Sequence, residues 1–192
     1  MPTIPRLTIA NSTLVVVDIQ DRLLAKIPSA DDLIRNTGFL LDVATLLGVE
    51  ALATEQYPKG LGPTTLAIAR RLPPNLPAKT AFSCCGAAGF LADLRSGGRT
   101  NVILVGMETH VCVSQTAFDL LEAGLTVFLP VDALATRNLV DHATAIRRLE
   151  RAGCVTTTVE AVAFEWLGDS THPQFTAISK LVIERANAVG GP

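Results

Sequence analysis

Three side chains far apart in the chain could do chemistry together: the sulfur of Cys112, the carboxylate of Asp18 and the ammonium of Lys79. A thiolate, not a thiol, is the attacking form of a cysteine. A carboxylate nearby can take the thiol proton, and an ammonium lowers a thiol pKa and steadies developing negative charge. Each residue alone also has an ordinary reading. Cys112 can be a small buried hydrophobe, Asp18 a turn-capping acid and Lys79 a solvated lysine. The chemical reading therefore stands or falls on whether the fold brings the three together.

The elements that would position them are legible. Val102 to Val105 is a short, β-branched apolar run closed by Gly106, which reads as a buried strand. After Cys112 the period changes: Val113, Ala117, Leu120 and Leu121 share a helical face, and Gly124 ends the helix. Cys112 thus stands at a helix start behind a strand, where free backbone N–H groups favour a thiolate and can hold an oxyanion. Thr13 to Asp18 is a first strand, apolar on both faces and ending on a carboxylate. A helix over Leu33–Leu47, capped by Ser29 or Asp31 and stopped by Gly48, leads to a second strand over Val49–Thr54. Thr64–Arg71 is a short helix, Leu76–Phe82 contains a third strand carrying Lys79, and Phe90–Leu94 is helical. A fifth strand, Leu125–Pro130, an amphipathic helix to Arg151, a sixth strand, Cys154–Thr157, and a final helix from Pro173 to Ile183 complete the chain.

Strands alternating with helices predict an α/β fold: a doubly wound three-layer sandwich around a mostly parallel six-stranded sheet. With strand order 3-2-1-4-5-6, strands one and four flank the switch point, where ligands bind beyond the strands' carboxyl ends. Asp18 and Cys112 then meet there, with Lys79 reaching in from the same edge. The 192 residues are expected to form one domain, with a core over about 10–186 and a flexible tail at 187–192. An apolar content of 48% provides for a core that needs no disulfide or metal staple. The net charge of −2 and the lack of a basic run argue against nucleic acid and anionic membrane as partners. No apolar run is long enough to span a membrane, and Met1–Pro5 opens no signal-peptide core. The four cysteines, at 84, 85, 112 and 154, match neither a disulfide framework nor a zinc spacing, which fits a reducing cytoplasm.

Several residues compete for roles. His110 is two positions from Cys112, and on a helix their side chains diverge. His142 reads as a solvated helix residue and His172 as a turn residue, so Cys–His chemistry ranks below Cys–Asp–Lys. Cys84 and Cys85 are rival nucleophiles without a clear helix start behind them. Glu55 and Gln56 can line a pocket or form a solvated rim.

Three segments carry a resemblance: Val15-Val-Val-Asp18-Ile-Gln20, Ala78-Lys79-Thr80-Ala-Phe82-Ser83 and Val105-Gly-Met-Glu-Thr-His-Val-Cys112-Val-Ser-Gln-Thr116. Together they resemble the signatures of the isochorismatase-like cysteine hydrolases, over about Leu14 to Lys180. Thr54 to Pro63 and His172 to Phe175 look like the isochorismatase domain-containing subgroup. The resemblance implies Asp18 as general base, Cys112 as nucleophile and Lys79 as electrostatic partner. It also implies a cis peptide at Met107-Glu108 and an oxyanion site from the N–H groups of Glu108 and Cys112. Metal-binding nicotinamidases of that superfamily carry an Asp-x-His pair where this chain has Gln56 and Pro58, so no metal and no cofactor are expected. Leu23, Gln56, Tyr57 and Phe82 would line the substrate pocket, the partner would be a small molecule, and the chain would form a homo-oligomer. The resulting expectation is an amidohydrolase acting through a thioester. A binding or scaffold protein that keeps the triad without efficient hydrolysis is the alternative, and a redox-sensing thiol is a third reading.

Overall fold

The computed structural model describes residues 4–188; the tail expected to be flexible lies, from residue 189 on, outside the described residues. A seven-stranded sheet forms the middle layer. Its strands are β1 (Ser12–Val17), β2 (Glu50–Gln56), β3 (Ala78–Lys79), β4 (Asn101–Met107), β5 (Thr126–Pro130), β6 (Leu134–Ala135) and β7 (Val155–Thr157). The order is β3-β2-β1-β4-β5-β7, with β6 pairing β4, and these pairings are parallel. The helices are α1 (Asp21–Leu24), α2 (Ala30–Leu47), α3 (Pro58–Leu61), α4 (Leu66–Ala69), α5 (Phe90–Ser96), α6 (Ser114–Glu122), α7 (Leu139–Ala152), α8 (Val159–Leu167) and α9 (Phe175–Asn187).

Strand side chains alternate between two cores, because successive residues point to opposite faces. Leu14 and Val16 of β1, Ile103 and Val105 of β4, and Phe128 of β5 face the layer holding α2, α8 and α9. Val15 and Val17, Val102 and Leu104, and Val127 and Leu129 face the layer of α5, α6 and α7. Both faces of the central strands are therefore apolar, which is why β1 and β4 read as unbroken runs. Each fully buried side chain of this kind stabilises the fold by about 1.5–3 kcal/mol relative to exposure.

The expected three-layer class and the order of the main strands are observed, and several details differ. The sheet has seven strands, not six. The additional β6 pairs Gly106 with Leu134 and Met107 with Ala135, beyond the end of the β4–β5 ladder. Strand three shrinks to Ala78–Lys79, and the last helix begins at Phe175 and runs to Asn187. The short helices α1 and α3 were not foreseen, nor was α8. Its sequence Val-Glu-Ala-Val-Ala-Phe-Glu-Trp-Leu is nearly all apolar and offers little helical contrast, yet Thr158 caps it by accepting the Ala161 N–H. Ser29 occupies the cap position of α2 without a side-chain bond, and Gly48 ends that helix at φ 70°.

Candidate active site

β1 delivers Asp18 to the middle of the sheet. Val17 is paired with Thr54 of β2 on one side and Gly106 of β4 on the other. Gly106 has φ +123°, and a Cβ there would lie 2.2 Å from the Val17 carbonyl oxygen, so only glycine lets β4 close on β1 at this level. The chain then turns at Asp18, which takes a left-handed φ of 52°, a region that Asp tolerates better than most residues. Asp18 is wholly buried. Its Oδ1 accepts the Thr54 hydroxyl at 2.9 Å and its Oδ2 accepts Lys79 Nζ at 2.7 Å.

Lys79 arrives from β3, whose short ladder pairs it with Gln56 of β2. Its ammonium also donates to Gln56 Oε1 at 2.7 Å and to the Phe82 carbonyl at 2.9 Å, with the Ala81 carbonyl farther off at 3.4 Å. An ammonium has three N–H donors, and three close acceptors occupy them. Lys79 is therefore a fixed buried charge with no donor left for a substrate oxygen.

Cys112 comes from the far end of β4. The Met107–Glu108 peptide is cis. A wide π turn, Thr109–Val113, follows and runs directly into α6. The turn is pinned from three directions: Thr109 Oγ1 donates to the Ala135 carbonyl on β6 at 3.0 Å, Ser114 Oγ to the Thr109 carbonyl at 2.6 Å, and Thr116 Oγ1 to the Cys112 carbonyl at 2.7 Å. Cys112 is 7% exposed, and its thiol and the Asp18 carboxyl lie close enough to perturb each other's protonation. Sequence reasoning expected the helix start to favour a thiolate. Instead, burial and the Asp18 charge push the Cys112 thiol up to about 12, against the pull of Lys79. The resting form is a thiol beside its candidate base. Burial also raises the Asp18 carboxyl above the ordinary range, with Lys79, Thr54 and Cys112 working against the rise. Among the described residues, the Glu108 N–H donates no hydrogen bond within the backbone.

The other candidates are dispersed. The Gln56 side chain reaches Lys79 and the Thr80 carbonyl, and so braces the ammonium. Glu55 turns away to bond Thr64 through its N–H and hydroxyl. Tyr57 and Phe82 are half exposed and Leu23 is partly buried on α1. Tyr57 and Lys79 border a cavity of about 440 Å³ with Pro58, Thr80 and Gly86; a larger one, about 650 Å³, lies at Ile4–Thr8 and α8, away from Asp18. The Glu108 carboxylate binds the Thr136 hydroxyl and the Arg137 guanidinium. Burial pushes its pKa up, but these partners bring it below the usual range. His142 is not a solvated helix residue: its Nδ1 is 3.0 Å from Thr109 Oγ1, because α7 packs on the π turn, and burial lowers its pKa. His110 Nδ1 meets Thr136 Oγ1, and His172 Nδ1 accepts the Gln174 N–H within a turn.

Sequence reasoning missed Thr54, Gln20 and Thr116, and weighed Cys84 only as a rival nucleophile. Gln20 ties β2 to the following loop, its amide bonding the Gln56 backbone and the Gly62 carbonyl. Thr54 and Gln20 each stand among other polar residues at a strand end, so polarity alone did not single them out. Among the described residues no cluster of three or more His, Cys, Asp or Glu is arranged to hold a metal, and no helix is long and apolar enough to cross a membrane.

The parallel doubly wound sheet thus gathers these side chains at one end of β1, β3 and β4. The family model described as Isochorismatase domain matches residues 12–161, and the chain belongs to that family. It is 40% identical over 184 residues to isochorismatase domain-containing protein 2 of Bos taurus, covering 95% of this chain and 88% of that protein. The Homo sapiens protein of the same name is 36% identical, covering 96% and 89%. Among solved structures, that of the MAR1 Ribonuclease from Caenorhabditis elegans superposes with a TM-score of 0.88 at 40% identity, covering 93% of each chain. YcaC from Pseudomonas aeruginosa with hexane-2,5-diol and covalent acrylamide gives 0.87 at 26% identity, covering 97% and 96%.

Proposed function

We propose that this chain is a cofactor-free cysteine amidohydrolase in which Asp18 is the base, Cys112 the nucleophile and Lys79 the fixed counter-charge. The observation that carries this reading is the arrangement of Asp18. Both of its oxygens are held, by Thr54 and by Lys79, while the carboxyl stays within reach of a protonated thiol. Asp18 takes the Cys112 proton as the sulfur attacks the carbonyl carbon of a small amide. The tetrahedral oxyanion turns to the backbone N–H groups of Glu108 and Cys112, since the Lys79 donors are filled. Collapse breaks the C–N bond, and the proton on Asp18 passes to the departing ammonia or amine. Asp18 next takes a proton from water, the hydroxide adds to the thioester, and the carboxylic acid leaves as Cys112 regains its proton. The acrylamide held covalently by the Pseudomonas aeruginosa neighbour supports the reading, because acrylamide is an amide to which thiols add.

A broad amide and ester screen tests the proposal. Cys112→Ala should abolish turnover while the thermal transition stays in place, and a full rate in that variant would remove the covalent route. The description of the Caenorhabditis elegans neighbour as a ribonuclease favours a second reading, hydrolysis of RNA phosphodiesters. The net charge of −2 weighs against a phosphate-tracking surface. Labelled RNA incubated beside the amide panel separates the two.

A further inference from the structure

Cys84 is the one thiol next to Asp18 that the proposed reaction leaves idle. It is wholly buried and opens a tight turn, Cys84–Gly86, ahead of α5. Its backbone N–H donates to Thr116 Oγ1 at 2.9 Å, and the same hydroxyl donates to the Cys112 carbonyl, so one threonine fixes both cysteines. Its sulfur lies 3.2 Å from Thr54 Oγ1. The Thr54 hydroxyl has a single hydrogen, and that hydrogen goes to Asp18 Oδ1. An ionised carboxylate only accepts, so in this contact the Cys84 S–H is left as the donor to Thr54, with the Thr116 hydroxyl as the thiol's other neighbour.

We propose that Cys84 is a positioning residue for the base: its thiol donates to Thr54, whose hydroxyl donates to Asp18, and this two-link chain steadies the Asp18 carboxylate. The proposal rests on the reading of Asp18 as the proton acceptor for Cys112. Hydrogen bonds in series polarise one another, so the incoming S–H strengthens the bond that Thr54 makes to the charged oxygen. A bond to the charged form favours that form. Burial holds the Cys84 thiol at about 12, so it keeps the proton it donates throughout the neutral range. The titratable groups bearing on Asp18 are Lys79 from β3, Cys112 from the π turn and Cys84 itself.

The test is the pH dependence of Cys112 alkylation by iodoacetamide, read by peptide-mapped mass spectrometry on the full chain. Alkylation forms an S–C bond and expels iodide while the thiol proton passes to Asp18, so the acid limb of the rate reports the shared proton of the pair. Cys84→Ala should move that limb upward by about half a pH unit, roughly threefold in rate at a fixed acid pH. Cys84→Ser, which keeps a donor, should bring the limb back. Thr54→Val, which removes the direct bond, should move it by about one unit, roughly tenfold. An unmoved limb in Cys84→Ala and Thr54→Val overturns the proposal, and so does a shift that Cys84→Ser fails to reverse, because a cavity alone would produce it. If Cys84→Ala does not fold, Thr54→Val and Cys84→Ser decide the matter by the same criteria. The readout needs no turnover: a wild type that hydrolyses no amide would sink the proposed reaction and leave this measurement intact.

Discussion

Replacing Lys79 with methionine should expose what the buried ion pair does. The Lys79 and Asp18 side chains are both fully buried and 2.7 Å apart. Removing one partner of a buried pair leaves an uncompensated charge and costs about 3–5 kcal/mol. At about 2–4 °C per kcal/mol for a chain of this size, the melting temperature should fall by roughly 6–20 °C at neutral pH. The pH dependence gives a sharper signature. Burial is the largest influence on Asp18 and raises its pKa, and Lys79 is the main force opposing it. Without Lys79 the folded-state pKa climbs further above the unfolded value. An acid whose folded form holds its proton more tightly loses stability as pH rises from the unfolded to the folded pKa. The variant should therefore recover relative to the wild type as pH falls and Asp18 takes up its proton. Asp18→Asn/Lys79→Met should restore the charge component, while Gln56 Oε1 and the Phe82 carbonyl remain without the donor they had. Urea and thermal melts at two pH values suffice as assays. A Lys79→Met protein that melts with the wild type at neutral pH, or a deficit that does not shrink as pH is lowered, would refute the account.

Gly106→Ala should be among the most damaging single changes in the chain. The new Cβ meets the Val17 backbone at a φ that L-residues avoid, so a loss above about 3 kcal/mol is expected, and a near-wild-type urea midpoint would contradict it. For any amide the wild type turns over, kcat/KM should fall as pH drops through an Asp18 pKa that lies above the ~3.9 of a free aspartate. An acid limb at or below that free value would show that Asp18 is not the group being protonated.

What the sequence revealed followed from periodicity and order. β1 and β4 are unbroken β-branched runs because both of their faces are buried, and that pattern survives translation into a string. The gathering of Asp18 and Lys79 at one end of the sheet followed from strand order, which the alternation of elements suggested. Elements without a period were invisible. β6 is two residues long, and α8 is apolar nearly all round. The supporting side chains were hidden for a different reason. Thr54 acts on Asp18 across a strand pairing, and Cys84 acts on Thr54 from a turn thirty residues away, so no local spacing records either contact. The protonation of Cys112 was read with the wrong sign because a helix start is visible in sequence, whereas the extent of burial around it is not.

The sheet ends in stubs on both sides: β3 is two residues long and β7 three. An edge strand of two or three residues is itself too short a template for a passing chain to zip onto, though β3 covers only Glu55 and Gln56 of β2.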